Sequence, residues 1–384
     1  RGTCATCCFL VVWRRLAQWS WLPGRRAGAG DNGRVGHDEP ATDDLTAGGE
    51  PNHDDVSRET TPSLWQRLSA TARPASTFLE GRSPLPADPT SEALPIGREA
   101  AAAVRSARLL REPLPRPQRT RVIVVANQKG GVGKTTSAVN IAAALALHGA
   151  PVLLVDMDPQ GNASTALGLA RNADVLTTYD VLVDGAPLEY AVQDCPDVPS
   201  LQGVASSIDL AGADLELFSR PGRELLLRQA LADYLQSTHV DYVVVDCPPT
   251  LGLLTLNALA AGLEVLITIQ CEYYALEGLS QLLTTIDLVR QGLNPALAVS
   301  HVLLTMYDAR TRLSGEVAAE VRAHFPDQVL PTAVPRSVRL SEAPGFGQTV
   351  LTYAPGSSGA LSYLEAARDI ARLNVADDNV RESA

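Results

Sequence analysis

The chain has 384 residues, of which 45% are hydrophobic and 20% charged, and its formal net charge is −11 at pH 7. This length allows two domains, and the acidic balance argues against a generally basic nucleic-acid binder, although an acidic total can hide a local basic face. No apolar run approaches the roughly 20 residues that a membrane-spanning helix needs, so we expect no such helix.

Residues 1–116 differ in kind from the rest of the chain. They are dense in Pro, Gly, Ala, Ser and charged residues, and their apolar residues follow no sustained period. Such a segment buries too little apolar surface to offset the entropy lost on ordering it. We therefore predict an N-terminal extension that is either disordered or the product of a wrongly assigned start codon.

From residue 117 onward, short apolar strands alternate with helices rich in alanine and leucine. The predicted strands cover residues 121–127, 152–156, 242–246, 264–270 and 298–305. The predicted helices cover residues 134–148, 223–235, 251–261, 275–291, 314–323 and 361–373. The pattern predicts an α/β domain over residues 117–375, a doubly wound and mostly parallel sheet with helices on both faces, followed by a flexible acidic tail at 376–384. Ligands of such folds bind at the carboxyl ends of the strands.

A glycine-rich loop joins the first predicted strand to the first predicted helix. After Gln128 it consists of Lys129, Gly130, Gly131, Val132, Gly133, Lys134, Thr135 and Thr136. Successive glycines let backbone N–H groups surround an anion, and the helix N-terminus adds partial positive charge. The order of strand, glycine loop and helix predicts a phosphate-binding loop of a P-loop NTPase, with Lys134 directed at the β- and γ-phosphates of ATP and the Thr135 hydroxyl directed at Mg²⁺.

Carboxylates follow two of the predicted strands. Asp246 ends a buried strand and fits the acid that holds magnesium through water, whereas its alternative role is to cap or turn the chain before the prolines that follow. Asp158 is a candidate to position the attacking water, and its alternative role is to form a turn before proline. Asp156, still inside its strand, is predicted to orient this loop through hydrogen bonds.

Residues 129–136 resemble the deviant Walker A motif of the ParA/MinD family, and residues 152–162, 241–249 and 270–279 are similar to the chromosomal ParA (Soj) branch. The likeness spans residues 121–373. It implies a Mg²⁺-dependent ATPase that forms a homodimer with ATP, in which Lys129 crosses to the nucleotide of the other subunit. It also implies that Asp158 is critical for hydrolysis, that a ParB-type protein is the partner, and that the protein is cytoplasmic and nucleoid-associated.

Two segments carry the arginines that this resemblance assigns to DNA. Arg310 and Arg312 follow one predicted strand, and Arg336 and Arg339 lie about 25 residues further on. Each by itself is typical of an ordinary exposed arginine. In ParA proteins of this branch these segments form a DNA-binding face across the dimer, so we select Arg310 and Arg339 as contacts to double-stranded DNA. Contacts of this kind to phosphates are independent of sequence and sensitive to salt.

Three alternatives share parts of this pattern. A MinD-like protein bound to membrane needs a basic amphipathic C-terminal helix, but residues 374–384 are acidic, so we expect no membrane partner. An electron carrier similar to nitrogenase reductase needs paired cysteines for a cluster, a pattern that Cys247 and Cys271 lack. A scaffold without catalysis is the third, and the intact Lys134, Asp158 and Asp246 argue against it.

Residues 56–60, with the sequence Val-Ser-Arg-Glu-Thr, can be encoded by GTTTCACGTGAAAC plus one further base. That palindrome is similar to the parS sites bound by ParB. Either the reading frame runs through such a site or the pentapeptide arises by chance, and the nucleotide sequence of the gene distinguishes the two.

Overall fold

The computed structural model describes residues 95–272 and 279–382. The described strands are β1 (Arg121–Ala126), β2 (Val152–Asp156), β3 (Val192–Asp194), β4 (Leu201–Val204), β5 (Tyr242–Asp246), β6 (Glu264–Gln270), β7 (Ala298–Tyr307) and β8 (Val329–Pro335). They form one sheet in the order β3-β4-β2-β5-β1-β6-β7-β8. The pairing of β3 with β4 is antiparallel, whereas the other described pairings are parallel.

Helices connect these strands and cover the sheet. They are α1 (Pro95–Arg111), α2 (Lys134–Leu147), α3 (Asn162–Ala166), α4 (Ala213–Glu216), α5 (Leu226–Ser237), α6 (Leu253–Ala261), α7 (Leu279–Gly292), α8 (Arg312–His324), α9 (Val338–Glu342), α10 (Val350–Tyr353) and α11 (Ser358–Glu382). Short 3₁₀ or π turns occupy Asp180–Asp184, Leu188–Tyr190, Ile208–Gly212, Arg223–Leu225 and Ala343–Phe346. None of the helices in the described part of the chain is both long and apolar enough to cross a bilayer.

The sheet separates two hydrophobic cores, because successive side chains of a strand point to opposite faces. In β1, Val122 and Val124 belong to the core that includes residues of α5, α6 and α7. Ile123 and Val125 belong to the other core, which includes residues of α2 and α11. Every residue of β1 is buried, as expected for a central strand covered on both sides. The predicted α/β fold is therefore confirmed.

The amino-terminal edge of the sheet holds a buried ionic cluster. Arg121 donates from Nε and Nη2 to the two carboxylate oxygens of Glu264 at 2.7 and 2.6 Å, and from Nη1 to the carbonyl of Ile370 in α11 at 2.9 Å. His301 Nε2 lies 3.0 Å from Glu264 Oε2. Burial by itself raises the pKa of Glu264, but the hydrogen bonds from Arg121 and His301 outweigh it and hold the pKa at about 2. The cluster ties three strands to the last helix.

The structure differs from the sequence prediction mainly at the edges. The five predicted strands are present, but the sequence did not indicate β3, β4 or β8. Helix α1 lies inside the segment predicted to be disordered; Leu109 is buried, and Arg105 pairs with Glu365 at 2.6 Å. Helix α11 continues to Glu382, into the predicted flexible tail. Residues 1–94, including the pentapeptide at 56–60, lie outside the described residues.

Candidate nucleotide site and arginine face

The glycine loop sits at the carboxyl edge of β1, where the predicted phosphate site was expected. Gly131 and Gly133 have φ angles of 74° and 83°, which side chains with a Cβ rarely adopt. A Cβ built on Gly130 or Gly131 meets nothing within 4 Å, so the loop faces open space. Gly133 is the N-cap residue just before α2 and has no side chain to cap it, which leaves the first N–H groups of the helix available to an anion.

Lys134 is the buried cation of this loop, with 7% of its surface exposed. Its Nζ donates to the carbonyl of Lys129 at 3.2 Å, which curls the side chain over the loop. Burial lowers the pKa of Lys134, while the nearby charges of Asp246 and Asp158 act in the opposite direction. The ammonium group thus lies between the loop and the carboxylates of the neighbouring strands.

Asp246 is the carboxylate best suited to a cation. It is fully buried, and neither of its oxygens has a hydrogen-bond partner among the described residues. Burial and the facing charge of Asp156 raise its pKa well above the usual value, although Thr135 and Lys134 are near enough to offset part of this rise. A buried carboxylate without donors is costly unless a cation or its water ligands satisfy it. The donor set of Thr135 and Asp246 therefore fits Mg²⁺, a hard cation that prefers oxygen ligands.

Asp156 and Asp158 organise the turn that follows β2. Asp156 accepts hydrogen bonds from the backbone N–H of Asp158 at 3.1 Å and from the N–H and hydroxyl of Ser164 at 2.8 and 2.6 Å. It therefore orients the loop, as the sequence predicted. Asp158 is 7% exposed and accepts from the N–H of Gln160 at 3.0 Å. The turn-forming role that the sequence left open is thus present, and the second oxygen of Asp158 is not used in that bond.

A cleft of about 680 Å³ opens beside the loop, within the size range of small-ligand sites. Gly133, Thr135 and Thr136 line one side, and residues 334–338 of β8 and α9 line another. Thr305, also in the lining, donates its hydroxyl proton to the carbonyl of Val132 at 2.9 Å. The sequence analysis missed this contact, which holds the glycine loop against the end of β7.

Lys129, the first lysine of the loop, lies close to a carboxylate and is partly exposed. Its Nζ lies 3.9 Å from Oε2 of Glu272, and 38% of its side chain is exposed. Its backbone N–H is fixed by a hydrogen bond to Oδ1 of Asn127 at 3.0 Å. Lys129 and Lys134 are the only two lysines in the sequence. Lys134 is buried in the site, whereas Lys129 is partly exposed at its entrance.

The two arginine segments lie side by side, because Tyr307 of β7 is paired with Pro335 of β8. The Arg310 and Arg339 side chains are exposed, by 89% and 55%. Arg310 pairs with Asp308 at 2.8 Å, and Arg339 pairs with Glu342 at 3.0 Å. The two predicted arginines thus follow neighbouring strand ends, and each has a carboxylate partner that the sequence analysis did not consider.

Comparison with known proteins identifies the family. A family model described as an AAA domain matches residues 120–299. The chain is 50% identical over 250 residues to the chromosome partitioning protein ParA of Myxococcus xanthus, a match that covers 65% of this chain and 87% of that protein. It is 49% identical over 251 residues to the sporulation initiation inhibitor protein Soj of Bacillus subtilis, which covers 65% of this chain and 98% of Soj. The chain belongs to the ParA/Soj family of chromosome-partitioning ATPases.

Solved structures agree with this assignment. A cobyrinic acid a,c-diamide synthase from Mycobacterium smegmatis, with bound ATP analog and magnesium, is 38% identical with a TM-score of 0.57, covering 65% of this chain and 93% of that one. The cell division ATPase MinD of Pyrococcus furiosus is 26% identical with a TM-score of 0.54, covering 65% of this chain and 98% of that one. We do not transfer the reaction named for the synthase, because the two partitioning relatives are more similar in sequence.

The predicted family, fold and ATPase activity are therefore confirmed for this ParA/Soj chain. The synthase structure contains the kind of cofactors predicted here, a nucleotide and magnesium. The match to Soj covers almost all of that relative but only 65% of this chain, so about a third of this chain has no counterpart in that match. Of the residues that line the cleft, Thr305 could have been found from sequence only by its place at a strand end.

Proposed function

We propose that this ParA/Soj chain binds ATP and Mg²⁺, forms a sandwich dimer, and in that form binds double-stranded DNA without sequence preference. In this proposal a ParB-type protein stimulates hydrolysis and releases the dimer from the nucleoid in the cytoplasm. The observation that supports the proposal is the position of the cleft: its lining includes Gly133 and Thr135 of the glycine loop, Arg336, and the residues Val338 and Leu340 on either side of Arg339. A nucleotide in the cleft would therefore contact the residues that adjoin Arg339 in the sequence.

The residues of the site have separate roles in this mechanism. Magnesium bound with ATP supplies charge neutralisation at the transferred phosphoryl group. Thr135 and Asp246 are the residues that would hold it, and Lys134 would exchange its bond to the Lys129 carbonyl for a phosphate oxygen. Asp158 would accept a hydrogen bond from the attacking water, with its geometry kept by the bond from the Gln160 N–H.

Lys129 is proposed to act on the nucleotide of the second subunit. Its half-exposed side chain and its fixed backbone support this role, because the ammonium group can swing outward while its base stays in place. A second positive charge at the phosphates would stabilise the transition state in the manner of an arginine finger. Each site would then be incomplete as a monomer, which makes the hydrolysis rate depend on dimer formation.

Two direct contacts support a link between the nucleotide and the arginines. Thr305 joins the glycine loop to β7, whose end leads into the segment of Arg310. On the other side, Gly168 and Gly347 touch closely, since a Cβ on Gly168 would lie 3.4 Å from the carbonyl oxygen of Gly347. This contact joins the region after the Asp158 turn to the segment that follows α9. Movement of the glycine loop would therefore displace the segment of Arg310, and movement of the region after the Asp158 turn would displace the segment that follows α9.

The dimer is tested with Lys129→Ala. We expect this variant to bind ATP but to show no ATP-dependent dimer by light scattering and no stimulated hydrolysis. Because the chain has only two lysines, isotope-labelled lysine gives one side-chain signal for Lys129 and one for Lys134. The Lys129 signal of the wild type should shift only at protein concentrations that give the dimer. An ATP-dependent dimer of Lys129→Ala would refute the role assigned to this side chain.

The DNA face is tested with Arg339→Glu. We expect the variant to dimerise with ATP yet to lose retention of duplex DNA at low salt, because charge reversal repels the phosphates. Arg290→Glu in α7 is the matched control, since Arg290 also pairs with a nearby acid, Asp287, at 3.5 Å. Equal loss in both variants would show an effect of net charge alone. Co-sedimentation with anionic lipid vesicles, expected to be absent, tests the MinD-like alternative.

A further inference from the structure

The Arg310 side chain is already engaged in the geometry that it would use for a phosphate. Its Nε and Nη2 donate to Oδ1 and Oδ2 of Asp308 at 2.9 and 2.8 Å. The Arg310 backbone N–H also donates to Oδ1, at 3.0 Å. Paired bonds from one edge of a guanidinium are the arrangement that arginine forms with carboxylates and phosphates alike. A DNA phosphate must therefore displace Asp308 to take this edge.

Arg339 and Arg312 also pair with carboxylates of their own helices, in each case through a single hydrogen bond. Arg339 Nη1 donates to Oε2 of Glu342 at 3.0 Å, and Arg312 Nε donates to Oε1 of Glu316 at 2.7 Å. Asp308 also faces the positive charge of Arg336 in the neighbouring segment: the hydrogen bonds from Arg310 come first, and Arg336 adds to them, in holding the Asp308 pKa at about 2. Asp308 therefore stays ionised at every physiological pH, and its charge attracts both Arg310 and Arg336.

We propose that Asp308 and Glu342 are internal competitors for DNA phosphate, which hold Arg310 and Arg339 until a dimer presents both copies of the surface to DNA. This inference rests on the proposed binding of DNA. Exposed ion pairs are weak, so each competitor is readily displaced when many phosphates are offered at once. DNA phosphates that meet a single subunit contact too few arginines to displace its carboxylates. In a dimer, the two linked copies of the surface bind the same DNA at high effective concentration. The competitors thereby make DNA binding depend on the ATP-bound dimer.

The test is Asp308→Asn, which keeps the size of the side chain and an oxygen to accept the Arg310 N–H while removing the charge. The readout is the affinity for a fluorescent 40-base-pair duplex with ATP and Mg²⁺, measured over a range of salt concentrations. We expect affinity at low salt to rise about threefold for each arginine released, hence about tenfold for a dimer. We also expect the plot of log K against log salt to become steeper by about one to two units, because released arginines displace more counterions.

Two comparisons separate this mechanism from a general effect of charge. Asp287→Asn in α7 removes one charge from another arginine-paired acid and should leave DNA affinity unchanged. In an Arg310→Ala background, Asp308→Asn should give little further gain, because the arginine to be released is absent. Glu342→Gln should act like Asp308→Asn, and its side chain retains an oxygen for the Tyr353 hydroxyl that now lies 3.3 Å from Glu342.

The outcomes also distinguish this inference from the proposed function. If the wild type binds DNA and Asp308→Asn binds no more tightly, the competitor role is wrong and DNA binding stands. The competitor role is also wrong if the gain persists in full without Arg310, or if Asp287→Asn gives the same gain. If neither the wild type nor the variant binds DNA at low salt, the proposed DNA-binding function fails. Binding by the variant alone would support strong competition.

Discussion

Replacing Asp246 by Asn should make the nucleotide-free protein more stable. The carboxylate is fully buried without hydrogen-bond partners among the described residues, so its ionised form lowers the free energy of unfolding. Asp156 shows the direction of the effect: burial dominates over its three hydrogen bonds and raises its pKa to about 6 from 3.8. Asp246 has fewer compensating bonds, and a buried polar group left without a partner costs about 1–3 kcal/mol.

The direction in which the free energy of unfolding changes with pH follows from the protons that Asp246 binds in the folded and unfolded states. With its raised pKa, Asp246 binds more protons in the folded state than in the unfolded state above about pH 4. The free energy of unfolding of the wild type therefore falls as pH rises through the folded pKa, while this contribution is absent in Asp246→Asn. We expect the variant to gain about 1–3 kcal/mol at pH 8 and little at pH 4. In a domain of this size each 1 kcal/mol of that gain raises Tm by about 2–4 °C.

The assay is thermal unfolding of both proteins at several pH values, with and without ATP and Mg²⁺. The wild type should gain stability on adding both ligands, whereas Asp246→Asn should gain much less because the residue proposed to hold magnesium is lost. Lys134 keeps Asp158 as a nearby carboxylate in the variant, so the cation is not left alone. A lower Tm for the variant without nucleotide at pH 8 would refute the reasoning, as would an unchanged response to magnesium.

Three further predictions concern the frame of the site. Thr305→Val should raise the KM for ATP several-fold while Thr305→Ser should not, because only valine lacks the hydroxyl bond to Val132; equal kinetics would show that the bond is dispensable. Glu264→Gln should cost about 3–5 kcal/mol in unfolding experiments, since it leaves Arg121 buried without its carboxylate. The wild type should lose this contribution as pH falls from 4.5 towards 2, a loss that Glu264→Gln should not show. Removal of residues 1–116 should lower Tm relative to removal of 1–94, because only the longer deletion removes α1 and the buried Leu109; equal Tm values would show that α1 adds no stability.

The central strands and the phosphate loop could be predicted because their signals are local. Each central strand is a continuous apolar run, and the glycines and Lys134 lie together in the sequence. The edge strands lack such a signal: β3 has three residues that are half-buried or exposed, and β8 contains Pro331 and Pro335. Proline is a common reason to reject a strand, although edge positions tolerate it.

Helix α1 was missed for a different reason. Its alanines and arginines lie in a segment whose average composition indicates disorder, and it contacts α11 far along the chain, for example through the ion pair of Arg105 with Glu365. In the site, the neighbouring positions of Asp156 and Asp246 follow from strand register. The contact between Thr305 and Val132 joins residues 173 positions apart, so the only sequence signal for it is the position of Thr305 at the end of a predicted strand. The carboxylate partners of the arginines likewise depended on side-chain geometry.

The placement of both lysines in the phosphate loop has a chemical consequence. Reagents or enzymes that acylate primary amines would find few targets on this chain, because of its two lysines Lys134 is buried and only Lys129 is partly exposed. Acylation there would remove the charge that Lys129 is proposed to offer to the second subunit, while the guanidinium groups of the two arginine segments would remain unmodified. Acylation of Lys129 would in this way lower ATP turnover without changing the arginines proposed to contact nucleic acid.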